Sequence, residues 1–79
     1  MYGRTMTSRR REKFVELAEK RVTRTIKDLR LIGNLANKSN YQYEARDVEK
    51  ILKTLESEVK ALRRRFEAGG IKELIEFKL

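Results

Sequence analysis

The apolar positions in the second half of the chain recur at spacings of four, three, four, three and four residues. They are Val48, Leu52, Leu55, Val59, Leu62 and Phe66. This spacing places one apolar stripe, suited to a core or an oligomer interface, along about five turns of an amphipathic helix, and Ile51 widens it. We predict a helix over residues 44–67. The glycines of the sequence AGG at 68–70 should end it, because glycine readily adopts left-handed backbone angles.

A second helical pattern precedes this one. Its apolar face carries Val15, Ala18, Val22, Ile26, Leu29, Ile32 and Ala36. We predict a helix over residues 9–36 with Ser8 as its N-cap, because a serine hydroxyl can accept a hydrogen bond from a free amide of the first turn. Gly33 lies in the last turns, where it costs up to about 1 kcal/mol relative to alanine, so this end is expected to fray or kink. Another side of the same helix carries Leu17, Leu31 and Leu35.

The loop between the two patterns is predicted at residues 37–43, where Asn and Ser favour a turn. Two helices of similar length joined by a short loop predict an antiparallel helical hairpin, and the fold class is all-α. Such a hairpin cannot cover both of its own stripes, so we expect a homo-oligomer, most simply a dimer, to complete a four-helix bundle. Residues 68–79 are predicted as a Gly-Gly turn and a short amphipathic tail. The tail is interpreted as a third short helix, although the alternation of Ile75, Phe77 and Leu79 also fits a strand.

The amino-acid composition limits how the fold can be stabilised and which catalytic or metal sites it can form. Seventy-nine residues form one domain at most, and so small a core usually needs disulfides, a metal or oligomerisation. The chain has no Cys and no His, so no disulfide can form and a zinc site would depend on carboxylates alone. General acid–base catalysis near pH 7 most often uses His, and no Ser–base pair, glycine-rich phosphate loop or metal-ligand spacing is present. We therefore expect no enzyme activity, no cofactor and no metal site.

The net charge is +8 and is unevenly distributed. Residues 1–40 carry eleven Lys/Arg against four Asp/Glu, whereas residues 41–79 carry nine against eight. A basic excess favours polyanionic partners, either nucleic acid or an acidic protein surface, through an attraction that salt weakens. No apolar run approaches the ~20 residues that span a bilayer. The basic segment MYGRTMTSRRR also lacks the apolar core of a secretory signal, so we expect no membrane contact and a cytoplasmic location.

Cationic ridges on the two predicted helices are the candidate nucleic-acid contacts. The residues are Arg9, Arg10, Arg11, Lys13, Lys20, Arg24, Lys27, Lys50 and Lys53. With residues 1–8 predicted as a basic arm, the triplet at 9–11 is typical of segments that become ordered on nucleic acid. The alternative is a solvated face, in which Glu16–Lys20, Glu49–Lys53 and Glu56–Lys60 form favourable pairs four residues apart. A second triplet, residues 63–65, suits the negative end of a helix dipole whatever the function.

One segment is nearly free of charge, LIGNLANKSNYQY at residues 31–43. It and the next helix start supply a candidate loop for a ligand or a partner, formed by Asn34, Asn37, Asn40, Tyr41, Tyr43 and Arg46. Tyrosine faces can stack on bases and asparagine can hydrogen-bond base edges, so a small nucleotide is one candidate ligand. The alternative is that the Asn and Ser side chains bond the loop backbone while one tyrosine closes the end of the bundle.

Three segments, KFVELAEKRV, RLIGNLANKSNYQYEARDVEKIL and LRRRF, resemble a family of small uncharacterised helical proteins from bacterial mobile elements and phages. The resemblance covers residues 13–67, with Glu44 where that family has a Ser or Thr helix cap. It implies a bacterial or phage accessory protein, located in host cytoplasm if phage-encoded, and assigns no activity.

We therefore expect a small basic oligomer that binds nucleic acid through phosphates with little sequence preference. One alternative is an inhibitor or adaptor that docks on a host complex through Leu17, Leu31, Leu35 and the tail. Another is a nucleotide-ligand sponge that uses residues 31–46.

Overall fold

The structure is a computed structural model that describes the backbone of residues 2–70 and the side chains of residues 8–70. Within these residues every regular element is helical, which confirms the all-α class. Helix α1 spans Tyr2–Gly33, a 3₁₀ turn spans Asn34–Ala36, and helix α2 spans Ala45–Glu67. The chain divides into two units between Gln42 and Tyr43. The predicted third element, in the tail, lies outside the described residues.

Helix α1 begins seven residues before the predicted start at Arg9. It begins at Tyr2, so Ser8 lies inside the helix and is not its N-cap. Most of the predicted basic arm is thus helical. The physical reason is that extending a helix adds one hydrogen bond for each residue fixed, and the sequence before Arg9 contains no proline to stop it. The arginines at residues 9–11 therefore already lie on a helical backbone.

The end of α1 changes its winding at the glycine. The α-helix ends at Gly33, which keeps right-handed angles (φ −60°, ψ −28°), and the following residues continue as a 3₁₀ turn. Asn37 then turns extended, with φ −72° and ψ 102°. The weak helix propensity of glycine accounts for the tightened last turn. The predicted limit at Ala36 is the end of the helical segment, although its last turn is not α-helical.

Asn37 organises the loop after α1. Its carbonyl oxygen accepts from the backbone N–H groups of Asn40 (3.1 Å) and Tyr41 (3.0 Å). Its side-chain Oδ1 accepts from the N–H of Ser39 at 2.9 Å. This is the local bonding by which an asparagine side chain favours a turn over continued helix. The loop therefore satisfies part of its own backbone without help from other elements.

Helix α2 starts at a reciprocal cap. Glu44 has extended angles (φ −114°, ψ 165°), and its backbone N–H donates to Oδ2 of Asp47 at 2.8 Å. The Glu44 side chain accepts from the backbone N–H of Asp47, which makes the cap reciprocal, and it also accepts from Nε of Arg46 at 3.2 Å. An acid three residues into a helix that reaches back to the N-cap amide is the signature of a capping box. Glu44 thus occupies the cap position without the usual Ser or Thr.

Helix α2 ends in a left-handed glycine turn, as predicted. Gly69 and Gly70 have φ of +68° and +89°. The N–H of Gly70 donates to the carbonyl of Arg65 at 2.8 Å, and that of Gly69 to the carbonyl of Phe66 at 3.0 Å. This pair of bonds is the Schellman arrangement, which satisfies carbonyls that the helix end would otherwise leave free.

Alanine substitutions at Gly33 and Gly69 should have opposite effects on stability. Neither position has an atom within 4 Å of where a Cβ would lie, so the backbone conformation alone determines the effect on stability. Gly33→Ala should stabilise by about 0.5–1 kcal/mol, because Gly33 is right-handed. Gly69→Ala should destabilise by about 1 kcal/mol or more, because its φ is positive. Urea unfolding of the two variants checks both signs, and a stabilised Gly69→Ala would contradict the left-handed turn.

The apolar stripes of both helices are accessible to solvent in this structure. No described residue is buried. On α2, Val59 is 59% exposed and Phe66 is 64% exposed, and on α1, Val22 is 57% exposed. The separation of apolar and polar faces is sharper on α2 than on α1. Within residues 2–70, neither helix is long and apolar enough to cross a bilayer.

Candidate nucleic-acid interface

A straight row of cations follows one face of α1. At 100° per residue its members fall within about 60° of arc, opposite the apolar stripe. The row, called the α1 ridge below, consists of Arg9, Lys13, Lys20, Arg24 and Lys27. All five are exposed, and the helix that carries them is unbroken from Tyr2 to Gly33. At 1.5 Å per residue the ridge is about 27 Å long. The α-helix therefore fixes the spacing of the five charges along its axis.

The acids on α1 do not neutralise this ridge. The predicted pair Glu16–Lys20 does not form, and among the described residues no ridge cation is in an ion pair. Exposed pairs of this kind gain little, because solvent screens the charges and holding two long side chains together costs entropy. The positive charge of α1 is therefore available to an external anion.

Arg10 and Arg11 do not belong to the ridge. On the helix, Arg11 points to the side of the apolar stripe, and Arg10 lies about 100° around the helix axis from Arg11. The Arg11 guanidinium carbon lies 5.9 Å from the centroid of the Phe14 ring, which is a cation–π distance. The structure thus groups only five of the seven cations predicted on α1. The spacing of three residues between Arg11 and Phe14 could have indicated this contact in advance.

A second row of cations follows the outer face of α2. It contains Arg46, Lys50, Lys53, Lys60 and Arg64. The predicted pairs Glu49–Lys53 and Glu56–Lys60 are not formed in the structure. Lys50 and Lys53, both predicted contacts, are exposed, whereas Arg46 is bonded to Glu44. These five cations share one helix face, but α2 carries fewer lysines and arginines in total than α1 does.

The candidate ligand loop is mostly committed to its own backbone. Asn37 uses both its carbonyl oxygen and its side-chain oxygen within the turn. Asn34 lies in the 3₁₀ turn, Asn40 in the following turn, and Tyr41 is 48% exposed. Tyr43 is half-buried and belongs, with Arg46, to the second unit. The interpretation of the asparagines as turn residues is therefore supported at Asn37.

The C-terminal triplet lies where a helix dipole favours cations. Arg64 and Arg65 are in the last turn of α2, and the carbonyls of both accept bonds from residues of the glycine turn. Over residues 8–70 no group of three acidic side chains comes together in a way that could hold a metal ion. At the other end of α2, Glu44 and Asp47 form the N-terminal cap. Asp47, whose role was missed from the sequence, is recognisable afterwards as the third residue beyond the N-cap.

Comparison with protein-family models, with curated proteins and with solved structures gives no match to this chain.

Proposed function

We propose that the protein binds nucleic acid through the α1 ridge, by contacts to phosphates and with little preference for sequence. The observation that carries this proposal is the row of five exposed cations on one uninterrupted helix, none of which is in an ion pair with another described residue. An ammonium or guanidinium every one or two turns can neutralise successive phosphates and release their counterions. Within residues 2–70 no helix-turn-helix is recognisable that would position side chains on base edges.

The ridge favours a duplex over a single strand. Single-strand binders interleave aromatic side chains with their cations so that bases can stack. Over residues 8–33 of α1, where the side chains are described, the one aromatic residue is Phe14, which faces Arg11 and lies more than 100° from the middle of the ridge. A helix with its side chains is about 10–12 Å across, close to the width of the DNA major groove.

The architecture proposed for the bound form is a pair of helical hairpins. The loop after α1 is short, and both helices carry an apolar stripe, so each hairpin would bring its stripes together and a second copy would complete a four-helix bundle. Burial of these stripes would leave the α1 ridge outward, because it lies on the opposite face of the helix. The resemblance described above suggests an accessory or regulatory role in a bacterial mobile element or phage, in the cytoplasm.

Fluorescence anisotropy with a labelled DNA duplex at several salt concentrations tests the proposal. Binding should weaken linearly in log–log form with a slope of about −4.5, which is about −0.9 for each of five ridge contacts per protomer. Affinity should differ little between unrelated sequences, and a single strand of equal length should bind more weakly. Absence of binding at low salt would reject the proposal. It would favour instead a protein partner on the exposed leucines of α1, of which Leu31 is 63% exposed.

A further inference from the structure

We propose that the apolar face of α2 is a homotypic interface, on which α2 of a second copy packs antiparallel with the two helices centred on Ser57. The proposal rests on the self-association suggested above and is independent of nucleic-acid binding. The surface, called the α2 seam, consists of Val48, Leu52, Leu55, Val59, Leu62 and Phe66. It names the partner as an identical copy and fixes its direction and register.

The α2 seam has the pattern of a helix-pairing surface. Its alternating spacings of four and three residues average 3.5, the repeat that keeps a seam facing a partner helix. Helix α2 carries it without a break from Ala45 to Glu67. Leu52 is 51% exposed and Leu62 is 50% exposed, so the seam holds apolar surface that association could remove from water.

The sizes of the seam residues favour the antiparallel register. Centring two copies on Ser57 places each valine of the seam opposite a larger residue, and pairs the remaining leucines with each other. The facing pairs are Val48 with Phe66, Leu52 with Leu62, and Leu55 with Val59, each formed twice. Pairing large with small residues lets layers interdigitate at interior density. A parallel pair in register would instead place Phe66 against Phe66 and Val48 against Val48.

The charges along α2 are also complementary only in the antiparallel direction. Residues 44–58 carry five Asp/Glu and three Lys/Arg, whereas residues 59–67 carry four Lys/Arg and one acid. Antiparallel packing sets the acidic half of one copy beside the basic half of the other and aligns the helix dipoles favourably. Parallel packing would bring the two arginine triplets at 63–65 together.

At the edges of the α2 seam the charges give one favourable and two unfavourable contacts. On the edge that carries Glu49 and Glu56, Glu49 of each copy lies nearest Arg63 of the other, and Glu56 lies nearest its own counterpart. On the other edge Glu58 also lies nearest its own counterpart. Glu49, Glu56 and Glu58 are exposed, and none is in an ion pair among the described residues. A Glu56→Gln change should therefore tighten association while Glu49→Arg weakens it.

Distance measurements between spin labels on two copies test the direction. Because the chain has no native Cys, three single-cysteine variants can be labelled cleanly: Lys50→Cys, Ser57→Cys and Arg64→Cys. All three sites lie on the outer face of α2, away from the seam, and all are exposed. The antiparallel arrangement predicts the shortest distance at Ser57. At the two outer sites the labels should be further apart by an axial offset of about 21 Å, from 14 residues at 1.5 Å each.

The outcomes separate this inference from the proposals on which it rests. Equal distances at all three sites would establish a parallel pair and overturn the inference while leaving self-association intact. No intermolecular distance, with a monomer by sedimentation, would overturn both. Neither result would alter duplex binding by the monomer. As a second measurement, Glu49→Arg and Arg63→Glu should each weaken the dimer at least about fivefold, and the double exchange should restore it. No recovery in the double variant would reject the register.

Discussion

Replacing Lys20, Arg24 and Lys27 with alanine is expected to lower the affinity for a DNA duplex by about 10- to 100-fold at ~0.1 M salt. These three residues are the part of the α1 ridge nearest to its C-terminal end, and none is in an ion pair in the described structure. Each phosphate contact contributes about 0.9 to the salt slope, so the triple variant should bind with a slope shallower by about three. The loss should be equal for unrelated sequences, because phosphates carry no sequence information.

Two controls separate the ridge from net charge. The charge-conserving triple Lys20→Arg, Arg24→Lys and Lys27→Arg should keep the affinity within about threefold, because phosphate neutralisation depends on the charge. The triple Lys38→Ala, Lys60→Ala and Arg64→Ala removes the same number of charges away from the α1 ridge. It should change affinity much less. If both alanine triples lose affinity equally, binding follows net charge alone and the assignment to α1 is wrong.

The parts of the fold that local chemistry determines were predictable from the sequence. The left-handed ends at Gly69 and Gly70 follow from the absence of a Cβ, and the extent of α2 follows from an unbroken seam. Glu44 was the weak point of that prediction, since a glutamate is a poor N-cap. The structure places it there because Asp47 accepts from its amide, and that partner was visible in the sequence at the right spacing.

The start of α1 was not predictable from the apolar pattern. A stripe marks where a helix is buried, and the stripe of α1 begins near Val15. Nothing in the sequence before Arg9 stops the helix, so it continues to Tyr2. The three ion pairs considered between residues four apart do not form in the described structure. Their spacing allows a contact, but such a contact is worth no more than a few tenths of a kcal/mol.

The candidate site was predictable only as far as helix geometry determines it. The five α1 ridge residues share a face because of their spacing, and the structure keeps them on one unbroken helix. Arg11 was assigned with its neighbours along the chain, but in the structure it lies over Phe14 on another side. The surface against which an apolar face packs could not be predicted in this way. Amphipathic spacing indicates that a face is to be buried, but not which surface buries it. Charge and size along α2 are what restrict the choice.

Changing Leu55 to glutamate should dissociate the oligomer. In the antiparallel register Leu55 of each copy faces Val59 of the other next to the centre, so one substitution alters the interface twice. Losing the burial of a leucine costs about 1.5–3 kcal/mol, and a charge placed in the α2 seam adds to that. Two sites give at least about 3 kcal/mol, or a dissociation constant more than ~100-fold weaker. Because packing supplies most of the stability of a helix this short, helicity should fall as well.

The matched control is Ser57→Glu, which introduces the same side chain two residues further along on the outer face of α2. Ser57 is exposed, and substitutions at such sites usually change stability by no more than about 0.5 kcal/mol. Sedimentation equilibrium of both variants, with circular dichroism at several concentrations, compares them. Unchanged association in Leu55→Glu would show that the α2 seam is not the interface. Equal dissociation in Ser57→Glu would show that added negative charge is the cause, and a loss confined to Leu55→Glu identifies the seam as the surface that holds the copies together.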